Sequence, residues 1–134
     1  MKLMELHPWD ALKGGSDLSE DPYKVAEQLG MEVHLPAPNE LFIDIDSDEG
    51  HALFTRMRSV LEINGIHFTE VKIEASRTEG HMHIRATLPF DVTDEVRILL
   101  QAVLGSDPKR ELLSWLRIHS DMDRAPTVFF EEAA

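Results

Sequence analysis

The chain has 134 residues, 43% of them hydrophobic, enough for one ordinary globular domain with a real core. It has no cysteine, which excludes disulfides, zinc ribbons, iron–sulfur clusters and thiol nucleophiles, so any metal must be held by His, Asp or Glu. The formal net charge of −12 argues against autonomous nucleic-acid binding through a broad cationic surface. Three partner classes are left: phosphates met through bound divalent cations, a protein partner that supplies the basic surface, or targets that are themselves basic.

The first 40 residues are punctuated by HPWD, KGGSD, EDPY and LPAPNE and read as an N-terminal arm with one short helix, Pro22 to Leu29, started by Asp21 and stopped by Gly30. Trp9 is expected to anchor this arm. MKLMELHPWD lacks the apolar core of a signal peptide, and no apolar run approaches the roughly 20 residues needed to span a bilayer. No membrane association and a cytoplasmic location are therefore expected.

From residue 41 a domain reaching to residue 134 is expected. In LFIDID, Leu41, Ile43 and Ile45 alternate with Phe42, Asp44 and Asp46, the period of a half-buried strand with one apolar and one acidic face. Ser47 is placed to cap a helix whose first turn holds Asp48 and Glu49, next to the positive end of the helix dipole. Leu53, Met57, Val60 and Leu61 then form one stripe until Asn64-Gly65 ends the helix. HFTEVKIEA alternates again, with Val71, Ile73 and Ala75 on one side. After the turn SRTEG, HMHIRATL sets Met82, Ile84, Ala86 and Leu88 toward the core and His81, His83, Arg85 and Thr87 away from it.

Thr93 caps TDEVRILLQAVLG, which Gly105 stops, and Ser106 with Pro108 restarts a helix in DPKRELLSWLRI. Leu112, Leu113, Trp115 and Leu116 are expected in the core; Arg97, Lys109 and Arg110 read as a solvated helix face. TVFFEE is a last strand. The order β-α-β-β-α-(α)-β is that of an α+β domain of ferredoxin-like or RNA-recognition-motif-like (RRM-like) type, with a four-stranded antiparallel sheet, helices on one face and the other face open. Its first and third strands are neighbours, which puts Asp44 and Asp46 beside His81 and His83 on the open side.

Two carboxylates at i and i+2 on a strand stand about 7 Å apart, close enough to share one cation or hold two adjacent ones. Acids packed side by side repel, a cation relieves them, and that cation can then orient phosphate oxygens. With one or two imidazoles added, the ligand set suits manganese or magnesium, and zinc or iron if both histidines bind.

The hydrophobic strand ending in IDID, followed by SRTEGHMH of the form Ser-x-x-x-Gly-x-x-His, resembles the first two motifs of the archaeo-eukaryotic primase superfamily, whose catalytic core is RRM-like. The resemblance implies that Asp44 and Asp46 hold divalent manganese or magnesium and that His83 or His81 contacts nucleotide phosphates. It also implies that Ser76, Arg77 and Gly80 shape the phosphate-facing turn, with Arg85 on the same face. That family has a further metal-binding acid on a later strand, for which Glu131 and Glu132 are the candidates. Strand order matches over residues 41 to 130, and the motifs cover about a dozen residues. LLQAVLGSDPKRELLSWLRI resembles small bacteriophage proteins, which implies a replication or accessory role. The resulting expectation is a primase-like nucleotidyltransferase that acts on or binds nucleotides or single-stranded nucleic acid.

Two alternatives stand beside this reading, the first of which uses the same histidines. His-hydrophobic-His on a central strand also resembles the HUH endonucleases, where the pair binds a metal and a tyrosine attacks. Tyr23 is the only tyrosine. The second alternative is a non-enzymatic acidic protein that inhibits a host nucleic-acid-binding protein by presenting carboxylates in place of phosphates.

Overall fold

The computed structural model describes residues 27–76, 80–120 and 126–132. Its elements run β1 (Met31–His34), β2 (Glu40–Ile45), α1 (Asp48–Ile63), β3 (Glu70–Ala75), β4 (Met82–Thr87), α2 (Asp94–Val103), α3 (Pro108–Ile118) and β5 (Phe129–Glu132). The α+β class expected from the sequence is found. The single four-stranded sheet is not: the strands form a three-stranded sheet ordered β2-β4-β3 and a two-stranded sheet of β1 with β5.

The chain divides into two compact units, Met1–Val33 with Phe130–Ala134, and His34–Phe129. In the first, Glu27 and Gln28 are helical, and Gly30, at φ 70, donates its N–H to Glu27 O at 3.1 Å. This fits the expected stop. The start of that helix, with Asp21 and Tyr23, and Trp9 upstream, lie outside the described residues. The strand β1 that follows was not anticipated, because MEVH is only four residues long.

In the second unit, side-chain alternation sets the layers. Leu41, Ile43 and Ile45 of β2 and Ile84 and Ala86 of β4 are at most 1% exposed and form one cluster with Phe54, Leu88 and Leu104. Full burial of each large aliphatic side chain contributes roughly 1.5–3 kcal/mol. On α1 the core-facing stripe runs through buried Phe54 and partly buried Met57 and Leu61, while Val60 is 39% exposed. Ser47 caps α1 by accepting from Gly50 N at 3.0 Å, and Thr93 caps α2 by accepting from Val96 N at 3.3 Å. The cap of α3 is Asp107 rather than Ser106, with Pro108 in the first turn.

The outer edge of β2, where a fourth strand was expected, is closed by side chains of α2 and α3. Phe42 N donates to Gln101 Oε1 at 2.8 Å, and Phe42 O accepts from Arg110 Nη1 at 2.7 Å. Asp44 N donates to Ser106 Oγ at 3.0 Å, and Asp44 O accepts from Asp107 N at 2.7 Å. Arg97 Nε donates to Glu40 O at 2.9 Å, while Nη2 reaches Ala37 O and Pro38 O, each at 3.1 Å. Buried backbone groups must find partners. Here the helices supply what a strand would have supplied, and β5 pairs elsewhere.

Behind this edge lies a buried polar network. Gln101, fully buried, donates to Glu111 Oε1 at 2.8 Å, and Glu111 Oε2 accepts from Ser106 Oγ at 2.6 Å and Arg110 Nη1 at 2.7 Å. Burial pushes the Glu111 carboxyl up, against the pull of Arg110, Ser106 and Gln101. Arg97, 5% exposed, and Arg110 are thus structural and not a solvated helix face. Leu113 and Leu116 are buried as expected, but Leu112 and Trp115 are exposed. Among the described residues no helix is long and apolar enough to cross a membrane.

Candidate functional site

The β2–β4 register sets Asp44 opposite His83 and Phe42 opposite Arg85. Because Phe42 and Asp44 spend their backbone groups on the outer edge, these are the wide pairs of the antiparallel ladder, in which facing side chains come closest. His83 Nε2 lies 3.9 Å from Asp44 Oδ1, within ion-pair range and beyond hydrogen-bond range. Asp44 Oδ1 is buried and has no hydrogen-bond partner among the described residues.

The sheet face that carries these residues is not open. Phe42, assigned by alternation to the exposed side, is completely buried. Its ring stacks on Phe129 at 4.4 Å and 1°, and His83 stacks on Phe129 at 4.0 Å and 5°. The guanidinium carbon of Arg85 sits 5.0 Å from the Phe42 centroid and 5.7 Å from that of Phe129, and that of Arg110 sits 5.2 Å from Phe129. Cations over aromatic faces are attracted by the ring quadrupole. The stack fixes the plane of the imidazole.

A third carboxylate belongs to this corner. Asp107, the α3 cap, accepts from Lys109 N at 3.1 Å. Burial pushes its carboxyl up; the Lys109 N–H opposes this, and the charges of Asp46 and Asp44 add to the upward push. Asp46, just past β2, is exposed. The sequence reading missed Asp107 because SDP signals a helix start, a sufficient explanation for an Asp there. What carries Asp107 to Asp44 is the backbone bond that closes the sheet edge.

His81 precedes β4, is half-buried, and accepts at its carbonyl from Ser76 N at 2.9 Å. Gly80 has φ 82, a conformation that side chains with a Cβ rarely adopt, so the turn requires glycine there. Arg77 lies outside the described residues. Glu131 and Glu132 stand in β5, in the first unit. Among the described residues no three His, Asp or Glu side chains are arranged as a ready-made metal cage. Comparison of the chain with protein-family models, with curated proteins and with solved structures finds no match.

Proposed function

We propose that this chain binds a divalent cation, magnesium or manganese, at the Asp44–Asp46–Asp107 corner. Through that cation it binds the phosphates of a nucleotide or single-stranded nucleic acid, in the manner of a minimal primase-like core. The observation that carries the reading is the buried Oδ1 of Asp44, without a hydrogen-bond partner among the described residues, beside an Asp107 carboxyl that burial and the charges of Asp46 and Asp44 push up. A cation relieves exactly that combination. Magnesium and manganese are commonly held by one or two carboxylates, with waters and substrate phosphates completing the shell, so a full protein cage is not required.

In this reading Asp44 and Asp46 hold the ion and Asp107 adds charge beside it. His83, fixed by the Phe129 stack, presents a ring nitrogen toward phosphate oxygens, and Arg85 places positive charge on the same face. The ion supplies Lewis-acid neutralisation of phosphate charge. Ser76 and Gly80 shape the turn beside His81.

The test is thermal unfolding with and without manganese. A ligand at 100 times its Kd stabilises the folded state by about 2.7 kcal/mol. Wild type is expected to melt higher with manganese, and Asp44→Asn/Asp46→Asn is expected to lose that response. Equal responses in the two proteins, or none in wild type, sink the reading. Manganese-dependent ATP binding would extend it to nucleotides.

A second reading draws on Leu99, 60% exposed, and Trp115, 40% exposed, on α2 and α3. These fit a non-enzymatic acidic module that binds a basic protein. It predicts a stoichiometric complex that forms equally well in EDTA.

A further inference from the structure

Among the described residues no strand pairs with the edge of β3 that faces away from β4. β3 is an outer strand of the three-stranded sheet, and its ladder with β4 pairs Glu70 with Thr87, Lys72 with Arg85 and Glu74 with His83. Ser76 N donates to His81 O one step further along the same register. The even-numbered residues of β3 therefore bond to β4, and Val71, Ile73 and Ala75 turn their N–H and C=O groups outward. Those groups have no partner among the described residues.

Ile73 is the second anomaly. Its side chain shares the core face with Val71 and is paired with Ile84, which is completely buried, yet Ile73 itself is 53% exposed. An exposed β-branched side chain on an unpaired edge is a template for strand addition.

We infer that the occupant is a second copy of this chain, paired antiparallel through β3 about a two-fold axis at Ile73. Isologous pairing requires a self-complementary strand, and EVKIEA is self-complementary in this register. Ile73 meets the partner copy's Ile73, Val71 meets Ala75, and Lys72 faces Glu74 on both sides of the axis. The alternative centre at Lys72 also satisfies the backbone, but it sets Lys72 against Lys72 and Glu70 against Glu74, both repulsive. Charge thus selects the register.

In the monomer Lys72 Nζ lies 3.5 Å from Glu70 Oε1 in a pair that is 61% and 58% exposed, and such an exposed pair holds Lys72 only weakly. The pairing forms about six backbone hydrogen bonds between chains and covers Ile73. Mutual repulsion of two chains at −12 is screened beyond about 8 Å in 0.15 M salt, whereas facing Lys–Glu pairs act at contact.

Sedimentation equilibrium of the full chain in 0.15 M salt, over about 10–500 μM, tests this. A monomer–dimer equilibrium is expected, with Lys72→Glu and Glu74→Lys each weakening it about tenfold or more. The double variant Lys72→Glu/Glu74→Lys regenerates opposite charges across the axis and is expected to restore dimerisation. Amide exchange in wild type gives a second readout, with protection at Val71, Ile73 and Ala75 rising with protein concentration. A chain that stays monomeric throughout, a dimer indifferent to Lys72→Glu, or a double variant no better than the singles overturns the inference.

Discussion

Replacing Gln101 by leucine removes one acceptor and one donor from the closed edge of β2 while keeping side-chain volume close to constant. Phe42 N–H, which donates to Gln101 Oε1 at 2.8 Å, is left in a completely buried position. A buried donor without a partner costs about 1–3 kcal/mol. Glu111 Oε1 loses the 2.8 Å bond from Gln101 Nε2, and Thr127 Oγ1 loses its 3.4 Å contact with the same nitrogen. Loss of a bond to a charged acceptor adds about 1.5 kcal/mol. The sum is about 2.5–4.5 kcal/mol, a large part of the about 5–15 kcal/mol that holds a domain folded. Urea unfolding should show the midpoint falling by about 1–2 M at unchanged slope. A loss below about 1 kcal/mol would mean that Phe42 N–H finds another partner, and the account of an edge sealed by helix side chains would fail.

Two further outcomes follow from the same edge. Arg97→Ala removes a buried guanidinium that bonds Ala37 O, Pro38 O, Glu40 O and Asp94, and should cost about 3–5 kcal/mol. Arg97→Lys should recover little of it in urea unfolding, because an ammonium lacks the planar fork that reaches these groups. Glu111, raised above 4.5 in the folded state, binds protons more tightly there than in the unfolded chain, so its contribution to stability grows as pH falls and is complete below 4.5. The stability deficit of Glu111→Gln against wild type, measured from pH 7 downward, should therefore widen toward pH 4.5; a constant deficit would contradict the raised carboxyl.

Local physics made much of this fold readable. Alternation in LFIDID, EVKIEA and HMHIRATL located β2, β3 and β4, and Ser47 and Thr93 marked the helix starts, since both signals depend on neighbours in sequence. The pairing of Asp44 with His83 was also within reach, because β2 and β4 are adjacent in the expected strand order.

Sheet completion was not readable in the same way. Whether β2 is flanked by a strand or by Gln101, Ser106, Asp107 and Arg110 depends on contacts across about 60 residues, and polar letters in a helix do not declare that they are buried. Hence Arg97 and Arg110 read as solvated, and the helix restart in SDP reads from Ser106 and Pro108 with no part for Asp107. Phe42 did carry a signal: a phenylalanine on a face taken as open requires a cover, and Phe129 provides it. Leu112 and Trp115 misled in the opposite sense, as apolar letters that the helix pair leaves exposed.

The cation-binding claim is tested most directly by adding substoichiometric manganese to the uniformly labelled chain and recording which resonances it broadens. Broadening is expected to concentrate on the amides of Asp44, Asp46 and Asp107 and on the His83 ring, saturably, and to disappear in Asp44→Asn/Asp46→Asn. Broadening spread over the acidic surface and unchanged in that variant would mean diffuse counterion attraction and would contradict the proposed site.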